Sequence, residues 1–310
     1  MKKIIIFCII AIIVCTGVWF FRSKTLLRTS SGWELYNTNC RELLDDDART
    51  VRIYSSFGLN RMKKLKTLEV DSIDKFDFLK ELDELQDLNV NVDESCPLNI
   101  SSFPEVGSLK KLIIHNGDYT EICLDEISDR MPELECIWLF GGHITDDNIR
   151  DISKCRKIKS ILFWGIERKP FDLSPLTKLD SLEELNLEPL FPQIDLTPIV
   201  DMSGLKKLEC TVYNEEELEI TSHFSSVQEL IIYNYSGENK LKLPDDYFDE
   251  MNSLERAEFH DFIIGDNIDI SSLPTNLKEM TFIDCNISEN IKDKISESDI
   301  DIEVKNNSNN

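Results

Sequence analysis

Glycine is scarce in this sequence, with 11 glycines among 310 residues. Loops that cradle phosphates need several closely spaced glycines, and the sequence has neither a Walker loop nor a dinucleotide-binding glycine pattern. It also lacks the G-x-S-x-G turn of serine hydrolases and the H-E-x-x-H helix of zinc proteases. These absences argue against an enzyme, and we predict that the protein uses no cofactor.

The sequence lacks the patterns that are typical of metal sites. The four histidines are far apart in the sequence, at His115, His143, His223 and His260. The acidic runs lack the glycine and the alternating oxygen ligands of a calcium loop; they lie at residues 45–47, 215–217 and 245–246. We therefore predict no metal site and interpret the acidic runs as solvated surface.

No Cys-x-x-Cys pair occurs among the nine cysteines. Cys8 and Cys15 lie in an apolar amino-terminal run, which leaves an odd number, seven, for the rest of the chain. This arrangement indicates neither a zinc site nor a disulfide framework. We expect most of the seven to be small buried side chains, and a single bridge between Cys40 and Cys96 stays open as an alternative.

Positive charge is also scarce, because 34 Lys and Arg residues face 58 Asp and Glu residues, giving a net charge of −24. Five basic residues precede the first acidic residue, Glu34, so the chain from residue 30 onward carries a net charge of −29. A surface this acidic repels phosphate backbones, which argues against nucleic acid as a partner. We expect a partner with a basic rim and an association rate that falls as salt is added.

One long hydrophobic run is present, at residues 4–21, between Lys3 and Arg22. Its 18 uncharged residues would extend about 27 Å as a helix, close to the thickness of a bilayer core. We predict an uncleaved single-pass transmembrane helix. Its start resembles an export signal, which implies that the following domain is extracytoplasmic. Cleavage near Gly17 with secretion, and lipidation at Cys15, are the alternatives.

The dominant pattern is a repeated phrase, L-x-x-L-x-L, in which all key positions are apolar. Successive copies are 20 to 27 residues apart. Each phrase predicts a short strand whose alternate side chains enter one core, followed by a return segment. Units of this length cannot close a core alone and must stack. The ten copies begin at Leu65, Leu85, Leu109, Leu134, Ile158, Leu182, Leu205, Val227, Leu254 and Leu277.

These copies resemble the leucine-rich repeat family over residues 48–304. The resemblance implies an α/β fold, a curved solenoid with a parallel sheet on its concave face, here preceded by the transmembrane helix. Residues 172–176 and 195–199 resemble the short return turns of internalin-type bacterial repeats, and residues 144–149 resemble a more helical class. The family places Asn or Cys at the ninth position of each unit, and here only Cys285 fits.

The predicted organisation has four parts. Residues 1–29 form the anchor and tether, and residues 30–64 form an amino-terminal cap. The cap contains a helix-like acidic segment at 33–47 and a leading strand at 48–53. The repeats extend over residues 65–304, and the closing strand lies at 300–304. The last part, residues 305–310, is predicted to be a disordered tail.

In this family the third, fifth and seventh positions of each unit face the concave side of the sheet. They are polar in the first two units and mostly apolar or aromatic in the next three, where Lys111 and Ser160 are exceptions. We predict one contiguous partner-binding patch, or alternatively a covered part of the core. The patch comprises Ile113, His115, Trp138, Phe140, Leu162 and Trp164, and a second, weaker site comprises Ile231, Tyr233 and His260 with Arg256 and Glu258.

Together these features predict a non-enzymatic, membrane-anchored module that binds a protein or peptide through its concave face. A second hypothesis is a structural or self-associating component of the cell envelope that has no specific ligand.

Overall fold

In the computed structural model, the described residues are 24–29, 32–44, 51–71, 73, 75–92, 98–116, 122–165, 170–188, 194–237, 240–266, 268, 273–296 and 300–306. They divide into two compact units. The first contains residues up to 117 together with 123–134, and the second contains 118–122 together with 135–310. The apolar run at 4–21 lies outside the described residues, and no helix within them is long and apolar enough to cross a membrane.

The first unit begins with an antiparallel hairpin. Strand β1 (Lys24–Thr29) pairs with β2 (Gly32–Asn37), and β1 also pairs with β3 (Arg52–Ile53). Parallel strands then follow in chain order: β4 (Thr67–Asp71), β5 (Asp87–Asn91) and β6 (Lys111–His115). The return segments are 3-10 helices at Leu59–Arg61, Asp77–Glu81 and Ile100–Ser102, and helix α1 (Ile127–Arg130).

The hairpin corrects two sequence predictions. The helix-like segment predicted from residue 33 is wrong, because Gly32–Asn37 is a strand, and the tether is wrong from Lys24 onward, because Lys24–Thr29 is a strand. The acidic composition of 33–47 suggested a helix, whereas Trp33 and Leu35 alternate with Glu34 and Tyr36 at the period of a strand. The leading strand is confirmed at Arg52–Ile53.

The second unit contains the remaining repeat strands, which pair in parallel. These are β7 (Cys136–Phe140), β8 (Ser160–Trp164), β9 (Glu184–Glu188), β10 (Lys207–Val212), β11 (Glu229–Asn234), β12 (Arg256–His260) and β14 (Glu279–Ile283). Strand β16 (Asp301–Lys305) pairs with β14, and β13 (Ile263–Ile264) pairs with β15 (Asn286–Ile287) in a small separate sheet. The closing strand is thus confirmed, and it includes Lys305, which the sequence had assigned to the tail.

The return segments of the second unit differ in kind. Helices are α2 (Asp146–Ile152), α3 (Glu215–Ser222) and α4 (Glu289–Ser296), and short 3-10 helices lie at Ser174–Lys178 and Thr197–Ile199. The predicted helical segment after Ile144 and the two predicted short turns are therefore confirmed. Both short turns begin in the same way, because the side chains of Asp172 and Asp195 accept the N–H groups of Ser174 and Thr197 at 2.8 and 2.9 Å.

All ten phrases form strands, each of which starts two residues after the first position of its phrase. The first, fourth and sixth positions are buried, which gives strands such as β4, β5 and β7 the same alternation of half-buried and buried side chains. Phenylalanines continue this core in the last repeats, where Phe259 stacks on Phe282 at 6.0 Å between ring centroids. The periodic apolar pattern therefore determines both the strands and their buried face.

The turns after the strands are held by two kinds of side chain. The Cys285 thiol lies 3.4 Å from the Phe262 nitrogen and 3.3 Å from the Phe259 carbonyl oxygen, as its ninth position predicted. Asn234, one residue before the ninth position of its own repeat, is also buried. Its amide donates to the Asp261 carbonyl at 2.9 Å and accepts from the Ser236 N–H at 3.0 Å. This role of Asn234 was not predicted, because the family pattern concerns the ninth position and Asn234 is at the eighth.

Candidate interaction surface on the open face of the sheet

Within each unit, the third, fifth and seventh positions of the repeats share one face of the strands, which we call the open face of that unit. Side chains on this face are half-buried in β4 to β7, whereas those on the opposite face are buried. The cause is the two-residue period of a strand, which sends alternate side chains to opposite faces. Every residue predicted for the binding patch lies on the open face.

Four of these residues form a cluster in the second unit, which we call the aromatic cluster: Trp138, Phe140, Leu162 and Trp164. Trp138 is in register with Leu162, and Phe140 with Trp164. The rings of Phe140 and Trp164 lie 6.0 Å apart at an angle of 55°. Trp164 is 45% exposed, and the other three are half-buried. The cluster is therefore open to solvent within the described residues.

Glycines end the two strands that carry the aromatic cluster. Gly141 and Gly165 have φ angles of 71° and 65°, a left-handed conformation that other residues adopt with strain. The Gly141 N–H donates to the Trp164 carbonyl at 2.8 Å. The chain thus turns away directly after Phe140 and Trp164, which leaves their rings on the rim of the open face.

Ile113 and His115 lie on β6 in the first unit, in register with Asn89 and Asn91. Burial lowers the pKa of His115 from its usual value, while the carboxylate of Glu69 opposes this shift and Arg52 adds to it. His115 is thus favoured in its neutral form. The surroundings of Ile113 and His115 on β5 are polar, unlike those of the aromatic cluster.

Tyr233 belongs to a hydrogen-bonded group that we call the Tyr233 network. The Tyr233 hydroxyl donates to Glu209 at 3.1 Å, and the amide of Asn186 donates to the other Glu209 oxygen at 2.5 Å. The ring of Tyr233 stacks on His260 at 4.2 Å, and a ring nitrogen of His260 lies 2.6 Å from a carboxylate oxygen of Glu258. Glu209 is 8% exposed, so it is a buried carboxylate with two donors.

The sequence placed Tyr233, His260 and Glu258 together but missed Glu209 and Asn186. The sequence could have indicated that Glu209 and Asn186 are neighbours, because both occupy the fifth position of consecutive repeats. That shared position puts them in register on β9 and β10. One further acceptor lies here, because the buried Oδ1 of Asn186 has no hydrogen-bond partner among the described residues.

Side chains of opposite charge alternate at the first residues of the neighbouring strands β10, β11, β12 and β14. Lys207 lies 2.6 Å from Glu229, and Arg256 lies 3.8 Å from Glu229 and 2.6 Å from Glu279. The hydrogen bond from Arg256 lowers the pKa of Glu279. These groups are exposed or half-exposed, and such pairs contribute little to stability because water screens them. They offer a chain of alternating charge beside the Tyr233 network.

The described residues contain no group of three His, Cys, Asp or Glu side chains that could hold a metal ion. Cys155, Cys210 and Cys285 are buried, as predicted, and burial raises the pKa of Cys210 to about 12 and that of Cys285 to about 11. Such thiols are poor nucleophiles. Cys40 and Cys136 are half-buried and Cys123 is exposed, so three of the six described cysteines are buried.

Cys40 is half-buried, and burial raises its pKa. It forms no disulfide with a cysteine of the described residues. Cys96 lies outside those residues, so the bridge from Cys40 to Cys96 stays a prediction.

A second apolar surface, in the first unit, was not predicted from the sequence. We call it the hairpin face, and it comprises Leu26, Trp33, Leu35 and Phe57. These side chains are 42, 57, 49 and 62% exposed. The alternation of Trp33 and Leu35 with polar residues could have predicted this strand and its exposed face. The prediction of a helix for this segment prevented that.

No protein-family model matches the chain, and no curated protein matches it significantly. Among solved structures, it is similar to an internalin (InlF) from Listeria monocytogenes at 12% identity, with a TM-score of 0.48 and coverage of 89% of this chain and 90% of that one. It is also similar to a leucine-rich-repeat protein of Leptospira interrogans at 15% identity, with a TM-score of 0.45 and coverage of 79 and 74%.

The repeat pattern and its strands settle the fold independently of sequence identity. Ten apolar phrases at 20- to 27-residue spacing each form a strand, neighbouring strands within each compact unit run parallel and in register, and short helices or turns return the chain between them. This chain therefore has the leucine-rich repeat fold.

Proposed function

We propose that the protein is a non-enzymatic binding module that takes a protein or peptide on the open face of its second unit. The observation that carries this proposal is the aromatic cluster, in which Trp164 is 45% exposed. We further propose that residues 4–21 hold the chain at a membrane, with the repeats on the extracytoplasmic side.

Tryptophan is a strong anchor at protein interfaces because it buries a large rigid surface for little loss of conformational freedom. Covering the exposed part of Trp164 removes roughly 100 Å² from water, which stabilises a complex by about 2 to 3 kcal/mol. Phe140, held against Trp164, would share the same contact. A cluster of this kind fits an apolar side chain of a partner.

The Tyr233 network adds polar recognition on the same face of the second unit. The carboxylates of Glu209 and Glu258 and the free Oδ1 of Asn186 are acceptors. They fit Lys or Arg side chains of a partner better than acidic ones. The proposed partner therefore combines an apolar anchor with a basic rim.

The test is affinity capture from the native membrane with the full chain as bait. The variant carries Trp138→Ala and Trp164→Ala, and the matched control carries Tyr235→Ala, which removes another exposed aromatic side chain (47% exposed) that follows β11. We expect one partner to be captured by the wild type and the control and lost from the double variant. Equal capture by all three baits, with unchanged circular dichroism, would place binding on another surface.

A second candidate function is self-association in a cell envelope. It is favoured by β16, which pairs on one edge only within the described residues and exposes Val304 at 42%. An open strand edge is a template for pairing with another chain. This alternative predicts oligomers that grow with concentration in sedimentation velocity and disappear with Val304→Pro, which removes a backbone donor. A monomer at all concentrations would exclude it.

A further inference from the structure

The hairpin face is an exposed apolar surface that the proposed binding function does not use. Leu26 and Leu35 are directly opposite each other on β1 and β2. Trp33 meets Phe57 edge to face at 6.0 Å between centroids. All four side chains are more than two-fifths exposed, whereas the repeat leucines are almost completely buried. Contiguous exposed apolar side chains of this size indicate a contact surface.

Basic side chains border this surface. Lys24 and Arg28 lie two residues before and two residues after Leu26 on β1, and therefore on the same face of the strand. Arg28 is in register with Trp33. The acidic residue of the hairpin, Glu34, lies at an alternate position of β2, where it accepts a hydrogen bond from Tyr36 at 2.5 Å. The hairpin thus combines an apolar face with positive charge, in a chain whose net charge is −24.

A cavity of about 860 Å³ adjoins the hairpin face. Leu26, Leu35, Phe57 and Phe78 supply its apolar lining. Its charged residues are three basic and two acidic ones: Lys24, Arg61, Lys80, Asp77 and Glu81. It opens between the hairpin and the first return segments. The apolar surface therefore continues inward from Leu26 and Leu35 instead of ending at the strands.

The position of the hairpin in the chain determines what this surface can meet. Strand β1 begins at Lys24, three residues after Phe21, the last residue of the apolar run. Three extended residues reach about 10 Å. If residues 4–21 span a bilayer, the hairpin is held at the depth of the lipid headgroups.

We infer that the hairpin face lies in the interfacial region of a lipid bilayer, with Trp33, Leu35, Leu26 and Phe57 against the acyl boundary and Lys24 and Arg28 at the headgroups. This inference rests on the proposed membrane anchor. Tryptophan beside Lys and Arg is typical of that region. A second copy of the chain is a poorer occupant, because two chains of net charge −24 repel each other, whereas the bilayer that would hold residues 4–21 is always within reach of the hairpin.

The test is quenching of tryptophan fluorescence in vesicles of zwitterionic lipid brominated near the headgroup end of its acyl chains. The full chain carries Trp19→Phe, so that the apolar run contributes no signal and the remaining tryptophans are Trp33, Trp138 and Trp164. One variant adds Trp33→Phe and the matched control adds Trp164→Phe. We expect brominated lipid to quench the parent and the control and to leave the Trp33→Phe variant unquenched.

Flotation of the same samples separates the two proposals. A chain that does not float with the vesicles would overturn the membrane anchor and, with it, the inference. A chain that floats but shows no quenching of Trp33 would leave the anchor standing and overturn the inference. Quenching that persists in the Trp33→Phe variant would also overturn it, because another part of the protein would then face the lipid.

Discussion

Strands β4 and β5 of the first unit and strands β7 and β8 of the second have the same backbone and different open faces. All four bury their fourth and sixth positions. On β4 and β5 the open side chains are polar and bond across strands, as Asn91 does to Glu69 at 3.3 Å. On β7 and β8 they are mostly apolar, and rings meet instead.

This difference shows that the fold and the proposed function depend on alternate residues of one strand. The buried positions must be apolar in every repeat, because the core is continuous from each strand to the next within a unit. The open positions are free to vary, because either water or a partner can satisfy them. An aromatic open face is therefore not required by the fold and calls for a functional explanation.

The largest expected effect is a difference in stability between substitutions on the two faces of β8. Phe163→Ala removes a fully buried ring that meets Phe171 edge to face at 5.6 Å, and we expect a loss of about 3 to 5 kcal/mol in the free energy of unfolding. Trp164→Ala, the adjacent residue, should cost about 1 kcal/mol or less. Urea denaturation of the two variants measures both. Equal losses would show that Trp164 belongs to the core.

The next effect tests the turns. Asn234→Ala leaves the Asp261 carbonyl and the Ser236 N–H without their buried partner, which should cost about 1 to 3 kcal/mol in the free energy of unfolding. Asn276→Ala is the matched control, because its amide bonds the Asn252 carbonyl at an exposed site. If the two variants unfold at the same urea concentration, Asn234 does not stabilise the turn.

A smaller effect is expected on the pH dependence of stability, through His115 on the open face of the first unit. Because burial lowers the pKa of His115 in the folded state, the unfolded chain takes up this proton first as the pH falls. The stabilisation from neutral His115 is therefore complete above the unfolded pKa of about 6.5 and is lost as the pH falls through the folded pKa. We expect His115→Gln to reduce the fall in the urea midpoint between pH 7.5 and pH 5.5. An unchanged pH dependence would contradict this assignment.

The smallest effect is expected from the exposed ion pairs. Lys206 lies 2.9 Å from Glu183, with both side chains about half exposed. Lys206→Ala should change the free energy of unfolding by less than about 0.5 kcal/mol, because water screens the pair. Thermal melts at low and high salt measure this. A loss of more than 1 kcal/mol would mean that the charged edge stabilises the fold as the core does.

Much of the fold was predictable because repetition multiplies a weak local signal. One L-x-x-L-x-L phrase is ambiguous, but ten in succession require stacked strands, and all ten are present. The cap lacks that redundancy. Each element of the cap occurs only once, so no repetition supports its assignment. The acidic composition of 33–47 therefore favoured a helix over the strand that the alternation of Trp33 and Leu35 indicates, and the hairpin was not predicted.

The candidate site was predictable where it depends on strand periodicity and not where it depends on contacts between side chains. Strand periodicity correctly placed Trp138, Phe140, Leu162 and Trp164 on the open face. It did not predict that Glu209 would be buried under Tyr233 and Asn186, because that depends on side-chain reach across three strands.

The sequence alone determined which residues of each repeat form the core, because burial follows a fixed period along the chain. Only the tertiary structure decided which open side chains touch, how the turns are held, and that the hairpin leaves Leu26, Trp33, Leu35 and Phe57 in solvent. The reason is that several of these features depend on contacts between residues far apart in the chain, such as Asn234 with Asp261 and Trp33 with Phe57, which no local period encodes.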